Sequence, residues 1–321
     1  MAAVMVAGNT GSNGRAVRDL PNDGGGMKMG ETGALILMKL DDLRESDNVD
    51  DNRGGGGGGR GGIALGGMGT VVVVVILLLM GKDPRALLNM VAEQGGPAVT
   101  APASPGDEKM VGFVKKVLGS TEDVWTVEFQ KLGRHYDQPR LEIFTQRTQS
   151  GCGLADAGMG PFYCPADQKV YIDLSFYREL KERFGAPGDF AQAYVIAHEV
   201  GHHVQHELGL SRPLDEARAR GASKSEQNAL SVRLELQADF LAGLWARKQD
   251  DRNKFLEPGD IEEAMRCAQA IGDDTLQKQA QGRVVPDSFT HGSSAQRVKW
   301  FMKGYQTGDI RQGDTFSARD L

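Results

Sequence analysis

The stretch Ala197-His198-Glu199-Val200-Gly201-His202-His203 sets two histidines four residues apart, with a glutamate directly after the first. On a helix this spacing puts His198 and His202 on one face, a turn apart. Their imidazoles can then converge on one Zn2+ at about 2.0–2.1 Å. Glu199 falls about 100° around the helix from His198, where it can take a proton from a zinc-bound water without ligating the metal. Zinc lowers the pKa of that water towards about 7, so hydroxide becomes available near neutral pH. His198 and His202 are therefore read as metal ligands and Glu199 as the general base. The bland alternative is a buried helix whose histidines are merely hydrogen-bonded.

A zinc site needs a third protein ligand. A metzincin would place Gly and His at positions 205 and 208, which hold Gln205 and Leu208, so that class is excluded. His203 points off the shared face, and His206 lies two turns from His198, too far to share one ion; both are read as surface or outer-layer groups. The better source is LELQADFLAG, where Glu235 and Asp239 are again four apart on one side of an Ala-rich helix. Glu235 as ligand, with Asp239 accepting the free N–H of a ligand histidine, gives both acids a reason. The reverse assignment, Asp239 as ligand and Glu235 as support, stays open at this level, as does a solvated acidic face.

Three helical stretches carry these residues: about 189–209 (DFAQAYVIAHEVGHHVQHELG), about 223–249 and about 258–279. Ahead of them, 110–118 and 122–133 have helical spacing. PRLEIFTQ (139–146) and KVYIDLSF (169–176) alternate as strands do. KVYIDLSF is expected at the sheet edge above the active helix, where an extended substrate segment can add by main-chain hydrogen bonds. SAQRVKWFMKGY is expected to form a short helix near the C-terminus.

The chain has 321 residues, a formal charge of -6 and three cysteines. A mildly acidic chain has no electrostatic footprint for nucleic acid. Cys152 and Cys164 flank a Gly-rich loop and can pair in an oxidising compartment. Residues 1–62 read as a disordered, Gly-rich N-terminal region, with Met38 as an alternative start. Residues 63–80 (IALGGMGTVVVVVILLLM) carry no charge and span roughly 27 Å as a helix, which predicts a single transmembrane helix. Residues 81–109 are expected to be a linker, 110–310 the zinc metallopeptidase domain and 311–321 a tail. Basic residues lean slightly to the N-terminal side of the span, placing the domain on the periplasmic or extracellular side.

GPFYCPADQKVYIDLSF, AYVIAHEVGHHVQ, LELQADFLAGLWA and DSFTHGSSAQRVKWF together resemble the bacterial neutral zinc metallopeptidase family over about residues 38–310. RESDNVDDNRGGGGGG followed by an apolar run resembles that family's membrane-anchored start. The resemblance implies an α+β, zincin-like core, with an HExxH helix, an ExxxD helix and Glu235 as third ligand. His291 and Arg297, in HGSSAQR, are similar to a C-terminal His/Arg pair of membrane-associated gluzincin peptidases. The likeness implies a place for His291 near the oxyanion and for Arg297 in the layer behind. The reaction expected is zinc-dependent endopeptidase cleavage of peptide or unfolded protein substrates. The alternatives are a membrane-tethered scaffold or binding protein with a structural zinc, and a zinc hydrolase of non-peptide amides.

Overall fold

A computed structural model describes residues 38–53, 105–186 and 188–321. Its first half is built on β1 (Val49–Asp51), α1 (Pro105–Lys131), β2 (Arg140–Phe144), β3 (Arg147–Ser150), β4 (Gly153–Asp156), β5 (Phe162–Cys164) and β6 (Lys169–Asp173). One sheet runs β1-β2-β6-β5, and β3-β4 form a separate hairpin. β1 and β6 flank β2 in parallel, and β5 pairs antiparallel with β6.

KVYIDLSF is thus an inner strand, and β5 forms the edge expected of it. The burial of β2 and β6 explains the error. Four of five residues are buried in each, on both faces, as in strands covered on both sides. The alternation of KVYIDLSF thus reflects residue type and not exposure.

α2 (Ser175–Glu182), α3 (Asp189–Leu208), α4 (Arg212–Ala219), α5 (Lys224–Asn253), α6 (Asp260–Ala270), α7 (Asp273–Gln281) and α8 (Ser294–Thr307) complete the fold. Among the described residues the architecture is mixed α+β, mostly helical with two small sheets. α3 ends at Gly209, whose φ of 69° is a left-handed cap that glycine adopts without strain. Ser223 caps α5, and Ser293 with Gln296 forms a capping box on α8. The single helix expected over 258–279 is two, broken at Gly272. A Cβ there would lie 2.4 Å from Ser294 Oγ, so the chain bends where only glycine fits.

α5 and α8 meet backbone to backbone. A Cβ on Gly243 would lie 2.0 Å from Phe301 O, and one on Gly304 2.0 Å from Phe240 O. Around this crossing lies a core with Trp125, Trp245, Trp300, Phe240 and Phe301 fully buried. α3 runs through the middle of that core and buries His198 and Glu199 with its apolar residues.

Two expected boundaries are corrected. Residues 38–53, assigned to a disordered N-terminal region, belong to the folded body. Met38 and Leu43 are buried, and β1 pairs with β2 from Val49↔Leu141 onward. The run looked like polar linker because its polar side chains serve one buried acid, Glu122 on α1. Arg44 Nη2 reaches it at 2.7 Å, Ser46 Oγ at 2.6 Å and Asn48 Nδ2 at 2.7 Å; a buried carboxylate needs such donors. The C-terminal tail is likewise held, with Thr315 fully buried and Arg233 Nη1 bonding the carbonyls of Thr315, Phe316 and Ala318.

A third correction concerns the membrane. Among the described residues no helix is long and apolar enough to cross a membrane. The expected span at 63–80, the glycine run before it and most of the 81–109 linker lie outside the described residues. The single-pass membrane localisation, with its periplasmic or extracellular domain, is withdrawn on this finding.

Candidate metal centre

The HExxH segment lies in the buried middle of α3, and the ExxxD segment lies opposite it in α5. Small residues let the two helices close on one another. A Cβ on Gly201 would sit 3.1 Å from Ala238 O, so the glycine between the two motif histidines is a contact position. The approach brings His198 Nε2 within 3.2 Å of Glu235 Oε2 and His202 Nε2 within 3.5 Å of the same oxygen. The three donor atoms all lie within 4.8 Å of one another. A tetrahedral site with arms of about 2.0–2.1 Å has edges of roughly 3.3 Å, close to the two measured separations. Two imidazole nitrogens and one carboxylate oxygen form the protein donor set of a catalytic zinc, which leaves a fourth position for water. Of the two acids, Glu235 faces both Nε2 atoms, and Asp239 meets His198 Nδ1.

Asp239 stands behind His198. Its fully buried carboxylate accepts from His198 Nδ1 at 2.8 Å, Tyr194 Oη at 2.5 Å, and Arg297 Nε and Nη2 at 2.9 Å each. Burial alone would raise its pKa, but the guanidinium and His198 outweigh burial and hold it at about 2. Asp239 is therefore a firm acceptor for His198 Nδ1–H, which leaves Nε2 for a metal. Arg297 is 3% exposed and bonds Tyr194 Oη as well as Asp239, so its place is in this layer. Tyr194 spends its hydroxyl on Asp239.

His202 is backed differently, by Gln205 Oε1 at 2.8 Å from Nδ1. Burial would lower the His202 pKa, yet the Glu235 carboxylate raises it to about 9. Burial opposes the Glu235 charge too, but His202 and His291 hold that carboxyl well below its usual range. Glu199 is 8% exposed; burial raises its pKa, partly opposed by His202 and His198. The backbone of Tyr163, the middle residue of the edge strand β5, opposes that rise as well.

His291 precedes α8, and its charge acts on the Glu235 carboxyl. Asp273 aims it. The carboxylate accepts the backbone N–H groups of Thr290, His291 and Gly292 and lies 3.4 Å from His291 Nδ1. The imidazole remains 45% exposed. His203 is not a surface group. Fully buried, it donates from Nε2 to Asp137 O at 2.6 Å and meets Tyr163 Oη at 3.1 Å. His206 is half-buried, 3.5 Å from Gln168 Nε2. Cys152 and Cys164 form a disulfide with Cα atoms 5.8 Å apart, which ties the end of β5 to the turn before β4. Gln205 was met in the sequence only as a residue that rules out the metzincin pattern. Its position one turn after His202 was the available signal.

A family model described as "Putative neutral zinc metallopeptidase" matches residues 38–316. An uncharacterized protein of Escherichia coli K12, YpfJ, is 52% identical over 217 residues, covering 68% of this chain and 75% of that protein. An uncharacterized protein of Mycobacterium tuberculosis H37Rv, Rv2575, is 45% identical over 196 residues, 58% of this chain and 65% of its own length. No solved structure matches the chain. The family's metal is zinc, and the His198, His202 and Glu235 donors fit it.

Proposed function

The chain belongs to the neutral zinc metallopeptidase family, and from that premise we propose that it is an endopeptidase with His198, His202 and Glu235 as zinc ligands. The observation that carries the reading is the meeting of both Nε2 atoms on Glu235 Oε2, at 3.2 and 3.5 Å, beside a buried Glu199. When bound, zinc supplies Lewis acidity, which acidifies water and polarises a carbonyl. Glu199 receives the proton of the attacking water and passes it to the leaving amine. Its raised pKa suits both halves of that exchange. His291 offers a hydrogen-bond donor to the oxygen that gains charge as the carbonyl becomes tetrahedral. Asp239, with Arg297 and Tyr194 behind it, orients His198.

Substrate binding falls to the free edge of β5. The Tyr163 backbone acts on Glu199, so that edge passes the reacting groups. An extended peptide or unfolded protein segment can add to it by main-chain bonds, which a compact folded protein cannot offer. A structural zinc needs no base, so the buried Glu199 favours this reading over a scaffold.

The test uses the full chain: zinc content and chelator-sensitive casein hydrolysis for wild type, Glu199→Gln and Glu235→Ala. About one zinc per chain is expected in wild type and Glu199→Gln and lost in Glu235→Ala, with hydrolysis in wild type alone. Zinc-free wild type, or full hydrolysis by Glu199→Gln, overturns the proposal.

A further inference from the structure

The outer nitrogen of His202 meets an amide, and that amide is the start of a buried series. Gln205 Oε1 lies 2.8 Å from His202 Nδ1. Gln205 Nε2 donates to Leu234 O at 2.7 Å and to Gln237 Oε1 at 3.1 Å. Gln237 Nε2 donates in turn to Gly313 O at 2.9 Å. Gln205 is 0% and Gln237 4% exposed.

The polarity of this series is fixed at its ends. Leu234 O and Gly313 O are carbonyls and can only accept. If Gln237 turned over, its oxygen would face Gly313 O in a place closed to water; if Gln205 turned over, its oxygen would face Leu234 O. Gln237 must therefore show nitrogen to Gly313 and oxygen to Gln205. Gln205 must show nitrogen to α5 and oxygen to His202. His202 Nδ1 must then carry hydrogen, whether the ring is neutral or protonated. Nε2 is the one nitrogen able to exchange its proton for a metal, and it is the one that faces Glu235.

We propose that Gln205 and Gln237 are positioning residues for His202, forming a one-way amide relay from the Gly313 carbonyl that fixes which imidazole nitrogen faces the metal. The inference rests on the zinc reading of the same site. It gives the C-terminal segment a task. Gly313 is seated against Phe240, with 2.6 Å between a Cβ at 313 and that ring, and the next turn is pinned by Thr315 Oγ1 to Arg233 O at 2.6 Å. The two histidines are thus oriented by different means. Behind His198 stands a carboxylate, which accepts on either oxygen; behind His202 stands an amide, which accepts only because its nitrogen is already engaged.

The experiment compares wild type, Gln205→Leu, Gln205→Glu and Gln237→Leu in the full chain. Zinc affinity is measured by chelator competition, metal-free stability by thermal melting, and the His202 Nδ1–H resonance in 15N-histidine-labelled protein. Gln205→Leu is expected to weaken zinc binding about 10- to 100-fold and to abolish the slowly exchanging Nδ1–H signal. Gln205→Glu keeps an acceptor for Nδ1 but loses both donations to α5. It is expected to hold zinc within about 3-fold of wild type while melting no higher than Gln205→Leu. Gln237→Leu is expected to fall between. Affinities that track melting across the series, or unchanged zinc binding in Gln205→Leu, overturn the relay. If wild type binds no zinc, the zinc reading fails separately, and the Nδ1–H signal still decides: its loss in Gln205→Leu supports the relay, its absence from wild type overturns it.

Discussion

Replacing Arg297 with Met removes the cation that neutralises Asp239 while keeping a side chain of similar length. Asp239 is 0% exposed and receives two of its four donors from that guanidinium, at 2.9 Å each. Its pKa, held down to about 2 by the guanidinium and His198, means that this pairing stabilises the fold at neutral pH. Breaking a buried pair from one side costs about 3–5 kcal/mol, because a charge is left without compensation. We expect Arg297→Met to destabilise the metal-free protein by about 4 kcal/mol in urea unfolding at pH 7. Asp239→Asn strands the guanidinium and should cost a similar amount. The double variant should fall short of the sum by about 1–3 kcal/mol. The pH dependence has a definite sign. A depressed carboxyl pKa gives stability that is present above about 3.8 and lost as pH falls through about 2. In Arg297→Met the carboxyl takes up its proton at higher pH, so the gap to wild type should narrow as pH drops from 7 towards 4. A cost below about 1 kcal/mol with no coupling, the behaviour of exposed ion pairs, would refute the reasoning.

Asp260 is 2% exposed, and burial, with Asp189 and Glu263 nearby, pushes its pKa up to about 6. A raised carboxyl pKa makes the folded state lose stability as pH climbs from about 4 to 6, so Asp260→Asn should raise the melting temperature at pH 7.5 and lose that advantage at pH 4. Reducing the Cys152–Cys164 bridge, or replacing both residues with Ser, should cost about 3 kcal/mol given its separation of 12 residues, read as a downward shift of the urea midpoint. Gly243→Ala must push Phe301 O away from 2.0 Å and should destabilise by about 3 kcal/mol; a neutral outcome would show that α5 and α8 can separate freely.

The metal centre was the most legible part of the chain because its geometry is local. Four-residue spacing on a helix puts His198 with His202, and Glu235 with Asp239, on common faces before any tertiary contact is known. Their division of labour was less legible, since it depends on Arg297, a residue of α8, reaching Asp239 and leaving Glu235 free. Gln205 was present in the sequence, but its partners lie on α5 and beyond, at Leu234, Gln237 and Gly313, and no periodicity on α3 reports them. The sheet was misjudged at both edges for a shared reason. β1 and β5 have three residues each, too few for alternation to register, while the longer β2 and β6 supplied a pattern and lie inside.

Residues 38–53 are fastened to the body by bonds that do not run along the chain. β1 pairs with Leu141, Glu142 and Ile143, Lys39 N–H reaches Phe255 O at 2.9 Å, and Arg44 grips Glu122 and Asp123. Each of these would survive a cut in the backbone anywhere between 54 and 104. The molecule is therefore divisible in principle: a nicked chain should stay whole through a sizing column, and a synthetic peptide spanning 38–53 should dock onto a body that lacks it. That makes this strand a handle, through which a label or a crosslinker can be brought into the sheet without touching the gene for the rest.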